Sequence, residues 1–161
     1  MVKINKIVNI GIVGPKGYAL GGYDFNDRRR KILNEYLSHI FQIESINKTV
    51  VGYCGLNSGS DYEFAKTCNE NRIPYYIYLS NENEQDSWIS NIKERNLILN
   101  SANEVQYLYK GEYSPKKNMN RTKMIIENSD IVIYVKNKLK NKCSILNYIL
   151  NTKKTIYYIN I

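Results

Sequence analysis

The chain has 161 residues, 43% of them hydrophobic, and a formal charge of +8 from 23 Lys and Arg against 15 Asp and Glu. That composition excludes a disordered or fibrous chain and suffices for one domain, spanning 1–161, with a single buried core. The positive balance favours anionic partners such as nucleotides, nucleic acid or an acidic surface.

Three cysteines, Cys54, Cys68 and Cys143, have no metal-type spacing and are too few for a disulfide framework, so they read as reduced thiols. The opening "MVKINKIVNIGIV" reads as a strand rather than a signal peptide, and no stretch reaches transmembrane length. The expected location is therefore cytoplasmic, in a bacterial cell or a phage-infected host, with no membrane partner.

In chain order, the first strand is expected at Lys6–Val13. A glycine-rich loop, "GPKGYALGGYD" (Gly14–Asp24), follows, and then the basic run "RRRK" (Arg28–Lys31), read as a solvated face. Ile32, Leu33, Tyr36, Leu37, Ile40 and Phe41 form an apolar stripe at helical spacing. A second strand, Thr49–Tyr53, leads into "GLNSG" (Gly55–Gly59). Ser60 and Glu63 then fit a capping box that starts the next helix.

A third strand is expected at Tyr75–Leu79, and Trp88, Ile89, Ile92 and Leu99 suggest a third helix. Strand Glu104–Tyr109, helix Lys117–Asn128 and strand Asp130–Val135 come next. The basic "KNKLKNK" (Lys136–Lys142), a helix on Ile145, Leu146, Ile149 and Leu150, and strand Thr155–Ile159 complete the chain. The basic pair Lys116 and Lys117 and the Lys136–Lys142 run are also read as solvated. Regular β/α alternation with strands too apolar to face water predicts an α/β fold, a Rossmann-like three-layer sandwich with a mainly parallel sheet between helices. Ligands in such sheets settle at the carboxyl ends of the strands.

The glycine loops lie at those ends. In "GLNSG", glycines without Cβ atoms let a ligand approach the backbone, and the following helix offers unpaired N–H groups to an anion. A tight strand-to-helix turn is the equal alternative. "GPKGYALGGYD" has the same character and adds Lys16 and Tyr18, but it matches neither the Walker pattern nor the dinucleotide fingerprint.

Taken in order, "GPKGYALGGYD", "GLNSGSD", "IPYYIYL", "EQDSW" and "NRTKMIIENSDIVIYV" resemble the SLOG superfamily, most closely its YpsA-like branch, over nearly the full length. The resemblance implies a Rossmann-like sheet whose glycine loops hold a nucleotide or nucleotide-derived ligand. It implies a site formed by Gly14, Pro15, Lys16 and Tyr18 of the first loop, by Gly55, Leu56, Asn57, Ser58, Gly59, Ser60 and Asp61 around the second, and by Arg121. Lys16 stands where the family often has Arg, and Thr122 replaces the Asn of the family's Arg-Asn pair. The family's Gly-Gly-Thr turn is replaced by "KNKCS" (Lys140–Ser144), in which Lys140 and Lys142 can stand in for backbone donors. The glycine-and-glutamate signature of the related LOG phosphoribohydrolases is absent.

Asp61 can hold a ribose hydroxyl or act as a favourable charge at a helix start. Arg121 can clamp a phosphate or form a surface ion pair. His39, the sole histidine, has no nucleophile pattern around it, and Trp88 reads as core packing. Tyr18, Tyr23, Tyr53 and Tyr113 lie near the site loops. No carboxylate pair, metal cluster or nucleophile–histidine arrangement stands out, so no catalytic residue, metal or cofactor is assigned.

The leading expectation is a protein that binds an ADP-ribose-like or cyclic nucleotide, as a sensor or as a sponge for an immune signal. An N-glycosidic hydrolase of nucleotides using Asp61, Glu63 or Glu112 is the alternative. A single-stranded DNA binder, like the related domain of DprA, ranks last. A homo-oligomer is expected, because one turn of the family's site is missing and a second subunit can complete it.

Overall fold

A computed structural model of the chain describes residues 5–81, 91–136 and 144–161. Six strands form one sheet in the order β4-β3-β2-β1-β5-β6, and every neighbouring pair is parallel. The strands are β1 (Lys6–Val13), β2 (Lys48–Cys54), β3 (Tyr75–Leu79), β4 (Glu104–Tyr107), β5 (Ile131–Lys136) and β6 (Thr155–Asn160). The helices are α1 (Arg28–Glu44), α2 (Ser60–Glu70), α3 (Ile92–Ser101), α4 (Pro115–Asn128) and α5 (Ser144–Asn151). Among the described residues, no helix is long and apolar enough to cross a membrane.

Strand alternation divides the helices between the two faces. A side chain at Gly52 of β2 would meet Phe64 and Cys68 of α2, whereas one at Gly11 of β1 would meet Ile125 and Ser129 at the end of α4. On the first face, Leu33, Leu37, Ile40 and Phe41 of α1, Phe64 and Cys68 of α2, and Ile98 of α3 bury with Ile10, Ile12 and Ile77. On the second, Ile126 of α4 and Ile149 of α5 pack with Val132 and Tyr134 of β5. This is the expected three-layer arrangement.

Local chemistry sets the helix ends. Asp27 caps α1 by accepting from Arg29 N at 2.9 Å, and Ser114 caps α4 by accepting from Lys117 N, with Pro115 at the first helical position. Lys154 Nζ donates to the carbonyls of Ile126, Glu127 and Ser129, closing the carboxyl end of α4.

Several expectations are corrected. Strand β4 ends at Tyr107, although Leu108 N and Tyr109 N still donate to Leu79 O and Ser80 O. Strand β5 starts at Ile131; Asp130 before it exchanges hydrogen bonds with the backbone of Asn9. In α3 Ile98 is buried and Leu99 packs half-buried against the core, while Ile92 is exposed; Trp88 and Ile89 lie outside the described residues. Tyr36 and His39 are exposed on α1. Cys54 and Cys68 are buried free thiols whose titration burial pushes up; Cys143 lies outside the described residues.

Candidate functional site

The strand order reverses between β1 and β5: consecutive strands run outward from β1 on one side, and from β5 on the other. Ligands of open α/β sheets lie in the crevice above such a switch point. The first glycine loop leaves β1 at this crevice and rests directly on the second loop, which leaves β2. A Cβ on Gly59 would sit 2.5 Å from Pro15 O and Lys16 C, and one on Gly14 would sit 2.8 Å from the side chains of Ser60 and Val135. Ser60 N donates to Pro15 O at 3.0 Å, and Ser60 Oγ donates to the same carbonyl. The glycines are thus needed for the approach of one loop to the other.

The start of α2 differs from the expected capping box. The residue before the helix is Gly59, with no side chain to cap. Asn57 takes that role: its Oδ1 accepts from Gly59 N at 2.9 Å and Asp61 N at 3.2 Å. Asp61 Oδ2 in turn accepts from Asn57 N at 3.0 Å. Ser60 is drawn away to Pro15 and Glu63 to Arg30. The amides of Asn57, Gly59, Ser60 and Asp61 therefore all donate within the protein, so these four N–H groups are not bare.

Of the expected site residues, Lys16 and Tyr18 are exposed, Gly14 and Asn57 half-buried, and Pro15, Gly55, Leu56, Ser58, Gly59, Ser60 and Asp61 buried. Leu56 belongs to the core cluster. Arg121 reaches from α4 across the sheet's upper edge. A Cβ on Gly55 would overlap Arg121 Nη1, so the guanidinium occupies the place where a side chain would stand. Its Nη2 donates to Asn118 Oδ1 at 2.7 Å, while Nη1 lies 3.9 Å from Asp61 Oδ2. Arg121 is 9% exposed and Asp61 3%, and Arg121 Nε has no hydrogen-bond partner among the described residues. The "KNKCS" turn lies outside the described residues apart from Ser144, as does most of the Lys136–Lys142 run.

The fold also assembles residues that the sequence did not single out. Arg30, the third residue of "RRRK", is 1% exposed and not part of a solvated face. Its Nη2 donates to Gly22 O at 2.6 Å and to Ser58 O at 2.7 Å, and its Nη1 donates to Glu63 Oε1 at 3.1 Å. Its Cζ lies 4.5 Å from the Phe25 ring centre, a cation–π contact. Burial pushes the Glu63 carboxyl above its ordinary titration range, a shift that Arg30 opposes. Phe25, Arg30, Asn34, Glu63 and Lys66 line part of a hollow of about 210 Å³ between α1 and α2. The available signal was periodicity: Arg30 precedes Leu33 and Leu37 by three and seven residues and so shares their buried face. Ser80 and Asn81, fully buried after β3, complete the upper edge; Asn81 Nδ2 donates to Gly111 O.

No protein-family model and no curated protein sequence matches this chain. Among solved structures it is similar to the Moco carrier protein of Chlamydomonas rheinhardtii, with a TM-score of 0.56 at 12% identity. The alignment covers 95% of this chain and 76% of that one. The fold is Rossmann-like. At this identity the likeness is one of fold alone.

Proposed function

We propose that this protein binds a phosphate-bearing nucleotide or nucleotide-derived signalling ligand, ADP-ribose-like or cyclic, as a sensor or as a sponge that sequesters the signal. The observation that carries this reading is the incompletely paired guanidinium of Arg121 above Gly55. A buried cation is costly unless well paired; Arg121 bonds the neutral Asn118, but its nearest carboxylate contact, to Asp61, is 3.9 Å, and its Nε has no partner among the described residues. Charge-assisted bonds from arginine to phosphate are among the strongest such contacts, and a phosphate that draws the guanidinium towards it gives Arg121 a closer anionic partner than Asp61. Exposed Lys16 on the adjoining loop adds a second cation, and the +8 balance attracts an anion from a distance.

Binding suits the site better than hydrolysis does. Asp61 accepts from the Asn57 amide and Glu63 from Arg30, so both carboxylates serve the loops. The Chlamydomonas protein of similar fold is named a Moco carrier protein, which supports a carrying role. The resemblance of "LGGYD" and "GLNSGSD" to the YpsA-like SLOG proteins supports a nucleotide as the class of ligand.

Titration calorimetry at low salt with AMP, ADP-ribose, a cyclic mononucleotide and a cyclic dinucleotide tests the reading. At least one should bind tighter than about 1 mM, equivalent to about −4 kcal/mol. Arg121→Ala should weaken that binding by about tenfold or more, the loss of about 1.4 kcal/mol. A panel without binding overturns the proposal.

A further inference from the structure

Arg30 hydrogen-bonds both glycine loops and α2 together. One nitrogen, Nη2, donates to Gly22 O of the first loop and to Ser58 O of the second, while Nη1 donates to Glu63 in the first turn of α2. The Phe25 ring lies against its guanidinium, and Tyr62 stands edge-on to Phe25 with ring centres 4.7 Å apart. The planar fork reaches three acceptors on three segments from two separated nitrogens, which the single nitrogen of a lysine ammonium does not reproduce. A Cβ at Gly17 would lie 2.5 Å from Ser58 Oγ and 3.3 Å from Arg30 Nη2, so the loops close on each other around this group.

We infer that Arg30 is the positioning residue of the ligand site: it sets the spacing of the two glycine loops, so that ligand affinity depends on it although it lies beneath the binding surface. The inference deepens, and rests on, the nucleotide-binding reading above. Its physical basis is pre-organisation. Loops held in the bound arrangement before the ligand arrives lose less entropy on binding than loops that must first be ordered. Burying the Arg30–Glu63 pair favours this geometry only while all three acceptors remain in reach, since removing part of the set leaves charge buried and unpaired.

The test compares Arg30→Lys with Leu37→Ala, a core substitution on the same helix that touches neither loop in any contact described above. Both should melt below the wild type. With the tightest-binding probe among AMP, ADP-ribose, a cyclic mononucleotide and a cyclic dinucleotide, Arg30→Lys should bind about tenfold or more weakly, the equivalent of about 1.4 kcal/mol. Leu37→Ala should bind like the wild type at a temperature where both are folded. Amide exchange supplies a readout that needs no ligand: in Arg30→Lys, Gly22 N of the first loop and Ser60 N, which ties the start of α2 to Pro15 O of that loop, should lose protection together, and in Leu37→Ala they should not. Wild-type affinity in Arg30→Lys, or equal weakening in Leu37→Ala, overturns the role of Arg30 while leaving the nucleotide reading intact. Failure of the wild type to bind any probe overturns the nucleotide reading itself. In that event, unchanged loop exchange in Arg30→Lys overturns the positioning role as well.

Discussion

Arg121 Nη1 lies 3.9 Å from Asp61 Oδ2, and the two side chains meet above Gly55 from opposite layers of the sandwich. Arg121 comes from α4 on one face and Asp61 from the first turn of α2 on the other. The absence of a Cβ at Gly55 lets them do so.

Gly55→Ala should therefore act through Arg121. The added methyl overlaps Nη1, which must leave its place, so ligand affinity should fall about as far as in Arg121→Ala. In an Arg121→Ala background, Gly55→Ala still meets Asp61 Oδ2 at 2.8 Å but should cost less than it does alone, a non-additivity of about 0.5–3 kcal/mol typical of residues in contact. Calorimetric titration of the two single variants and the double variant measures it; simple additivity would contradict this account.

Gly59→Ala meets backbone instead of a movable side chain, at 2.5 Å from Pro15 O and Lys16 C. The loops must separate, and overpacking of this kind costs about 1–3 kcal/mol. Thermal melting should show the loss with or without ligand present.

Asn57→Ala removes the acceptor for Gly59 N and Asp61 N at the start of α2. The expected destabilisation is about 0.5–2 kcal/mol, the usual value of an N-terminal cap, with Asn57→Asp retaining most of it. Urea denaturation of the three proteins decides the order.

Asp27 titrates at about 2, below its ordinary value of 3.8, because the Arg29 side chain and backbone N–H both bond its carboxylate. A depressed folded-state value means the ionised form favours the folded chain, so the contribution is full above pH 3.8 and disappears as pH falls towards 2. The stability difference between wild type and Asp27→Ala should therefore shrink across that interval, as followed by denaturant melts at stepped pH.

Strand and helix positions were legible wherever the signal was local. Lys6–Val13 and Tyr75–Leu79 appear in the structure with the bounds that their apolar runs suggest, and the α1 stripe buries Leu33, Leu37, Ile40 and Phe41. The glycine loops were legible as places of close approach, because a missing Cβ is written in the residue itself.

What approaches them was not. Ser60 and Glu63 had the spacing of a capping box, yet Pro15 O, 45 residues distant from Ser60, and Arg30, 33 distant from Glu63, took their side chains. Arg30 looked like one of four surface cations until the packing of α1 on α2 enclosed it. The chain alone determined its periodicities and hence its layers, since those depend on neighbours a few residues apart. Only the tertiary structure decided which polar groups meet at the sheet's upper edge, because a hydrogen bond between distant segments is chosen by their distance in space, and burial then penalises every group left without one.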